Sequence, residues 1–312
     1  MIRAAITTTN RWAWVRLLGG LAILGVLAVR LGAEPFVEGI RSTDATSVLV
    51  ALVVTAGTTW CCAWRWSLLS GRLDVAVPVR TAYRRYYRSQ LLNATLPGGI
   101  LGDVHRGIDH GRSSGALGRG LRSVVWDRAS GQAVQVALCV VALLLLPAAV
   151  RSGVGWLLMA VVAVLVMVAV VLPARVRRPV AAELHAVVAT REVLPQVVLA
   201  SALAAAGHVA IFVVVARSVG VTAPLPELAA LGLVVLVASA LPLSVAGWGP
   251  REGAAAWIFG AAGLGTAAGL SAAVAFGVVS LVATLPGVLV LRGRTPTAPR
   301  SLDPSAVEAA RG

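Results

Sequence analysis

Two short segments hold most of the residues able to do chemistry in this 312-residue chain. The first reads Asn93-Ala94-Thr95-Leu96-Pro97-Gly98-Gly99-Ile100-Leu101-Gly102-Asp103-Val104-His105-Arg106. The second reads Leu241-Pro242-Leu243-Ser244-Val245-Ala246-Gly247-Trp248-Gly249-Pro250-Arg251-Glu252. Aligned, they share L-P-x-x-[I/V]-x-G-x-x-x-R at a constant offset of 145 positions. Each ends in an arginine, whose planar fork suits bidentate capture of phosphate. Each sets an acid beside it, Asp103 before Arg106 and Glu252 after Arg251. Pro97 and Pro242 remove a donor and break a helix, and the glycines allow turns closed to other residues. Freed N–H groups and helix ends can then hold an anion. The expected chemistry is recognition of an anionic headgroup. The candidate binding residues are Asn93, Pro97, Gly98, Gly102, Asp103 and Arg106, the acidic-basic pair Asp127 and Arg128, and Pro242, Ser244, Gly247, Gly249, Arg251 and Glu252. The plainer reading is that these charges neutralise one another locally and the breaks serve packing.

No other chemistry competes. His105 and His110 sit near Asp103 and Asp109 but lack zinc-protease spacing, so no metal is expected. His208 falls within an apolar run and reads as a hydrogen-bonded packing residue rather than the alternative, a proton relay. Cys61, Cys62 and Cys139 read as packing residues without metal-ligand spacing. There is no phosphate loop, dinucleotide fingerprint or G-x-S-x-G elbow, and no cofactor is called for.

Breaks of this kind have meaning only inside a particular solvent. Hydrophobic residues make up 58% of the chain and charged residues 13%, with a mean hydropathy of +0.86. A soluble domain has about 25% charged residues, so the composition excludes a soluble fold and predicts an all-α, polytopic membrane bundle. Apolar runs suited to spanning helices are Val15–Leu31, Ser47–Trp64, Ala129–Val150, Val154–Leu172, Gln196–Ala216, Leu228–Ser244 and Ala267–Leu291. Ala254–Thr266 is shorter, and Leu91–Leu101 is shorter still and broken by Pro97-Gly98-Gly99.

The net charge of +14 comes from 27 basic residues, all arginine. With the N-terminus inside, all but Arg30, Arg41, Arg151 and Arg217 fall on the cytoplasmic side, as basic loop residues do. That places nucleic acid outside the expected partners and anionic membrane lipid among them. Leu91–Leu101, flanked by arginines, is expected to re-enter, and Ala254–Thr266 to cross, giving about eight spans plus one re-entrant segment with both termini cytoplasmic. This placement puts both motifs on the cytoplasmic side and argues against an inverted repeat. Short Gly/Pro-interrupted segments at corresponding positions of two halves still point to a transporter binding site. Pro179–Arg191 is expected to form an interfacial helix. The expected division is a cytoplasmic N-terminus over 1–14, a transmembrane domain over 15–291 and a disordered cytoplasmic tail over 292–312.

The first motif resembles the LPG-x-x-GGD-x-x-R signature of the lysylphosphatidylglycerol synthase transmembrane region family, also called flippase-like proteins. The second is similar to the family's P-x-S-x-G-G-x-G-x-R-E. Arg65-Trp66, Tyr86-Tyr87, Asn93 and Asp127-Arg128 add to the likeness, which runs from about Val48 to Leu291. Departures are Leu101 and Ala246, each in place of a glycine, and Pro250 before Arg251. In the best-known members this region is joined to a cytoplasmic aminoacyl-transferase domain and is thought to move the aminoacylated lipid between leaflets. The resemblance implies a stand-alone flippase-like protein of a bacterial cell membrane, without the transferase. Its expected cargo is an anionic phospholipid or a polyprenyl-phosphate-linked lipid. Two alternatives stand beside it. One is a membrane-embedded transferase using Asp103 or Glu252 as base; the other is a non-catalytic partner of a separate glycosyl- or aminoacyl-transferase.

Overall fold

The computed structural model describes residues 18–96, 99–143, 155, 174–241 and 247–291. Among these the fold is all-α. A first helix, α1 (Leu18–Leu31), bends by 102° into α2 (Glu34–Arg41). α3 (Ala45–Arg72) follows, with Asp44 accepting the Ser47 N–H at 2.8 Å as its N-cap, so one orphan amide of the first turn is satisfied. Next come α4 (Val79–Thr95), α5 (Leu101–Ser113), α6 (Leu117–Ala142), α7 (Ala174–Val187) and α8 (Leu194–Ser218). The last four are α9 (Leu225–Ser239), α10 (Pro250–Ala261), α11 (Thr266–Thr284) and the short α12 (Gly287–Leu291). Pro195, Pro226 and Pro250 lie in the first turns of α8, α9 and α10, where a missing N–H costs nothing.

Among the described residues three helices are long and apolar enough to cross a membrane: Ala45–Arg72, Leu194–Ser218 and Thr266–Val290. The first two are antiparallel. Arg65 bonds Ser201, Gly207 lies against Thr58 and Val54, and Arg72 reaches the Ala186 carbonyl before α8 begins. The bundle therefore has an Arg72 end and an Asp44 end. Arg41 and Arg217 share the Asp44 end, whereas Arg119 and Arg122 pair with Asp74 and Glu183 at the other. The main core lies toward the Asp44 end, where Ala51, Cys139, Phe212, Leu231, Phe259 and Phe276 pack from six helices. Cys139 is buried there as a packing residue, while Cys61 and Cys62 are half-buried.

Two helical hairpins fill the space between the long helices. In α4–α5, Arg85 reaches Ser113, Arg88 reaches His105, Ser89 bonds Asp103, and Asn93 accepts the Gly102 N–H. One number climbs as the other falls, so the arms are antiparallel, with Leu96 ending one and Gly99-Ile100 leading into the other. The base of this hairpin, next to α3's last turn, is at the Arg72 end. In α9–α10, Gly232 lies against the Phe212 ring, which meets Phe259 edge-on at 6.1 Å, while Ser239 and Arg251 meet at one cavity. This hairpin is also antiparallel. Its base follows α8's last turn, where Arg217 grips the Val221 carbonyl at 2.8 Å, and so lies at the Asp44 end. The two hairpins enter from opposite ends and their tips meet in the middle.

Two expectations about the path of the chain read differently on the structure. The sequence reading gives crossings at Leu228–Ser244 and Ala254–Thr266; the structure gives the two arms of one hairpin. At about 1.5 Å per residue, the 15 residues of α9 and 12 of α10 fall short of the ~30 Å hydrocarbon core. A hairpin returns the chain to the end it left, as two crossings would, so a count of arginines by side cannot separate them. The motifs also do not share one side: their hairpins are inverted relative to each other. The interfacial helix expected over Pro179–Arg191 corresponds to α7, with Val180 and Leu184 exposed and Val187 buried. The expected span Val154–Leu172, apart from residue 155, and segments 1–14 and 292–312 lie outside the described residues.

Candidate functional site

The site is built on a buried ion-pair network. α3 contributes Arg65, whose Nε donates to Asp127 Oδ1 at 2.9 Å and whose Nη1 donates to Ser201 Oγ at 2.9 Å. Asp127, on α6 and fully buried, also accepts from Tyr86 Oη and Arg106 Nη2, both at 2.9 Å. Arg106 donates its Nη2 to Asp103 Oδ1 at 3.1 Å. Asp103 accepts in addition from Ser89 Oγ at 2.9 Å and Asn93 Nδ2 at 2.8 Å, and pairs with Arg128. Charges alternate along the chain Arg65, Asp127, Arg106, Asp103, Arg128, so each carboxylate lies between two guanidiniums. That arrangement is what lets ions stay buried. Three cations against two anions leave a surplus of one positive charge.

The sequence prepares room for these side chains. A Cβ on Gly131 would strike the Arg65 guanidinium, and one on Gly277 would strike Arg251 and Trp248. Gly102, in the first turn of α5, lies directly against the Ser89 carbonyl oxygen, so a Cβ there would force the hairpin arms apart. Gly102→Ala is therefore expected to destabilise the protein by about 1–3 kcal/mol, the usual cost of overpacking, read as a lower Tm in detergent. Gly99 makes the last turn of the tip with φ +65°.

The second hairpin repeats the logic with fewer parts. Glu252 is fully buried and accepts the Gly249 N–H at 2.6 Å, capping its own helix. Its other oxygen takes Arg251 Nε at 2.9 Å and Nη2 at 2.5 Å. Gly249 adopts φ +120° and packs on the Gly20 backbone of α1, which no larger residue could do. The Arg251 guanidinium lies 5.0 Å from the Trp248 ring centroid.

Between the two tips lies a cavity of about 690 Å³. Of the expected binding residues, Asn93, Asp103, Arg128, Gly247 and Arg251 line it. Arg106, Asp127 and Glu252 stand behind the wall. Arg106 is enclosed between the rings of Tyr86 and Trp66, 4.0 and 4.4 Å from their centroids, and its role is to tie Asp127 to Asp103. Pro97, Gly98, Pro242 and Ser244 lie outside the described residues. The cation best placed for a ligand is Arg128, whose side chain is 44% exposed against 0% for Arg106. Most of the wall is apolar. Val104, Val125 and Leu241 line the cavity and stay exposed at the level of the tips, which opens it sideways.

Sequence reasoning missed Ser89, Ser201 and Gln132; His208, read there as a packing residue, also lines the cavity. Ser89 and Asn93 are four apart on α4, a spacing that puts them on one face toward Asp103. No comparable signal marks Ser201, which joins Arg65 across 136 residues.

The chain matches the family described as lysylphosphatidylglycerol synthase TM region over residues 13–287. No curated protein was found to match it. The protein belongs to that family and is an integral membrane protein.

Proposed function

We propose that this member of the lysylphosphatidylglycerol synthase TM region family is a flippase-like transporter of the bacterial cell membrane. Its cargo is an anionic phospholipid or a polyprenyl-phosphate-linked lipid. The observation that carries the reading is the cavity between opposed hairpin tips, with Arg128 on one wall and Arg251 on the other. Irregular backbone at membrane depth is tolerated where it lines a cavity, and paired broken segments mark transporter sites. The surplus positive charge in a low-dielectric setting favours an anion. The apolar side opening past Val104, Val125 and Leu241 lets acyl or prenyl chains remain in lipid while the headgroup sits inside. With the Arg72 end cytoplasmic, one hairpin faces each leaflet, so a headgroup held between the tips has a path to either.

Asp103 and Glu252 are each committed to several donors, which leaves neither poised as a general base. The test is reconstitution of the purified chain into phosphatidylcholine vesicles holding fluorescent phosphatidylglycerol. Protein-dependent movement of the label between leaflets, absent from protein-free vesicles, is expected. Product formed only with an aminoacyl or glycosyl donor would transfer the assignment to a transferase, and inactivity under both conditions to a non-catalytic partner.

A further inference from the structure

His208 lies at mid-length of α8 and lines the cavity. Its Nδ1 is 2.7 Å from the Ala204 carbonyl oxygen. A carbonyl only accepts, so Nδ1 carries a hydrogen and Nε2 is the nitrogen left to protonate. Among the described residues nothing bonds Nε2, whereas a packing histidine would have both nitrogens engaged. An ionisable group at this depth calls for a functional account.

The charges around it define what it can do. Of the helices packed against α8, α6 presents Arg128 and Gln132 to the cavity, and α3 presents Thr55. Further along α3, Arg65 is already paired with Asp127 and Cys62 is half-buried. The polar side chains that α9 and α11 present are hydroxyls, at Ser239, Ser280 and Thr284. Across the cavity stand Asp103, paired with Arg106 and Arg128, and Arg251, paired with Glu252. With His208 neutral, the surplus is one positive charge, which a phosphodiester monoanion cancels. A phosphomonoester brings a second negative charge; among the described lining residues Asp103 is held as a carboxylate between Arg106 and Arg128, which leaves His208 to gain the compensating proton.

We propose that His208 sets the headgroup specificity of this site, selecting a lipid phosphomonoester over a phosphodiester. Resting on the lipid-binding reading above, its Nε2 takes a proton from water as the dianionic phosphate enters and donates that N–H to a phosphate oxygen. The proton returns to water on release. The two arginines neutralise the charge common to both lipid classes, and the imidazolium recognises the charge that only the monoester carries.

The test compares short-chain dihexanoyl phosphatidic acid with dihexanoyl phosphatidylglycerol, titrated calorimetrically into the full chain in a neutral maltoside at one pH near neutrality. The native protein is expected to prefer phosphatidic acid by about tenfold or more, the worth of one charge-assisted hydrogen bond. His208→Asn keeps a donor for Ala204 but loses Nε2; His208→Gln keeps a polar amide that cannot gain a proton. Both are expected to abolish the preference while phosphatidylglycerol binding stays within about twofold of native. A purely structural His208 would weaken both lipids alike, and that result would overturn the proposal. Equal binding of the two lipids by the native protein, or a preference surviving in both variants, would overturn it too while leaving Arg128-dependent lipid binding intact. Absence of saturable binding by either lipid would instead sink the lipid-binding reading, and this inference with it.

Discussion

Asp127→Asn is expected to destabilise the protein by about 3–5 kcal/mol, the typical cost of stranding buried partners. Asp127 is fully buried and is the only carboxylate that Arg65 meets among the described residues. Without it Arg65 keeps a single hydroxyl partner, Ser201, while Arg106 falls back on Asp103. The loss reads out as a large drop in Tm in detergent, with aggregation on heating. Removing the stranded cation as well, in Asp127→Asn with Arg65→Met, is expected to recover most of that loss, since an apolar replacement of a buried pair is often neutral. A Tm unchanged in the single variant would mean that the network is solvated and not a stabilising centre.

Arg128→Ala is expected to keep the fold and lose lipid binding and movement, whereas Arg251→Ala is expected to lose them together with a drop in Tm, because it strands the buried Glu252. Arg128 is part-exposed at the cavity, and Asp103 retains Arg106, Ser89 and Asn93 once Arg128 is gone. Truncating one partner of a charged contact costs about 2–5 kcal/mol, or roughly 30-fold or more in affinity. Arg128→Lys should not restore it, because an ammonium lacks the fork that grips two phosphate oxygens. Arg106→Ala is expected to act differently, lowering stability before it touches the ligand, because Arg106 faces two carboxylates and two rings and not the cavity. Native-like lipid movement in a folded Arg128→Ala, Arg251→Ala double variant would remove both residues from the binding role.

The helical, membrane-embedded character was legible because composition records the solvent directly. The two motifs were legible because Pro and Gly interrupting an apolar run carry a local backbone signature. Hairpin against crossing was not, because α9 is as apolar as a true span and differs in length and direction, while α10 follows its Arg251-Glu252 pair with an apolar run that could continue into a crossing. The division of labour among arginines was hidden for a related reason. Arg106 and Arg128 flank Asp103 in space, but which guanidinium faces the cavity depends on how α5 and α6 rotate against each other. Gly107, Gly111 and Gly120 allow their close approach, and no local pattern encodes the rotation. His208 looks like packing in sequence because nothing near it in the chain is polar; its setting is made by α3, α6 and α11.

The order in which the ribosome delivers these parts has its own demand. The α4–α5 hairpin carries Arg80, Arg84, Arg85, Arg88, Asp103 and Arg106, and each such charge costs about 2.5–3.5 kcal/mol at the centre of an inserting helix. It leaves the translation machinery with Asp103 but before the second counter-ion of Arg106 exists, since Asp127 follows Arg106 by 21 residues on the next helix. A nascent hairpin of this kind has no reason to leave the aqueous face by itself. It must wait among lipid headgroups until α6 arrives, and then slide inward beside α3 as the charges pair. Biogenesis is thus expected to pass through a chain with its early helices inserted and its first motif still outside the hydrocarbon. Interrupting synthesis just short of Asp127 should trap that form, with Asn93 open to water-soluble modification in a variant carrying cysteine there.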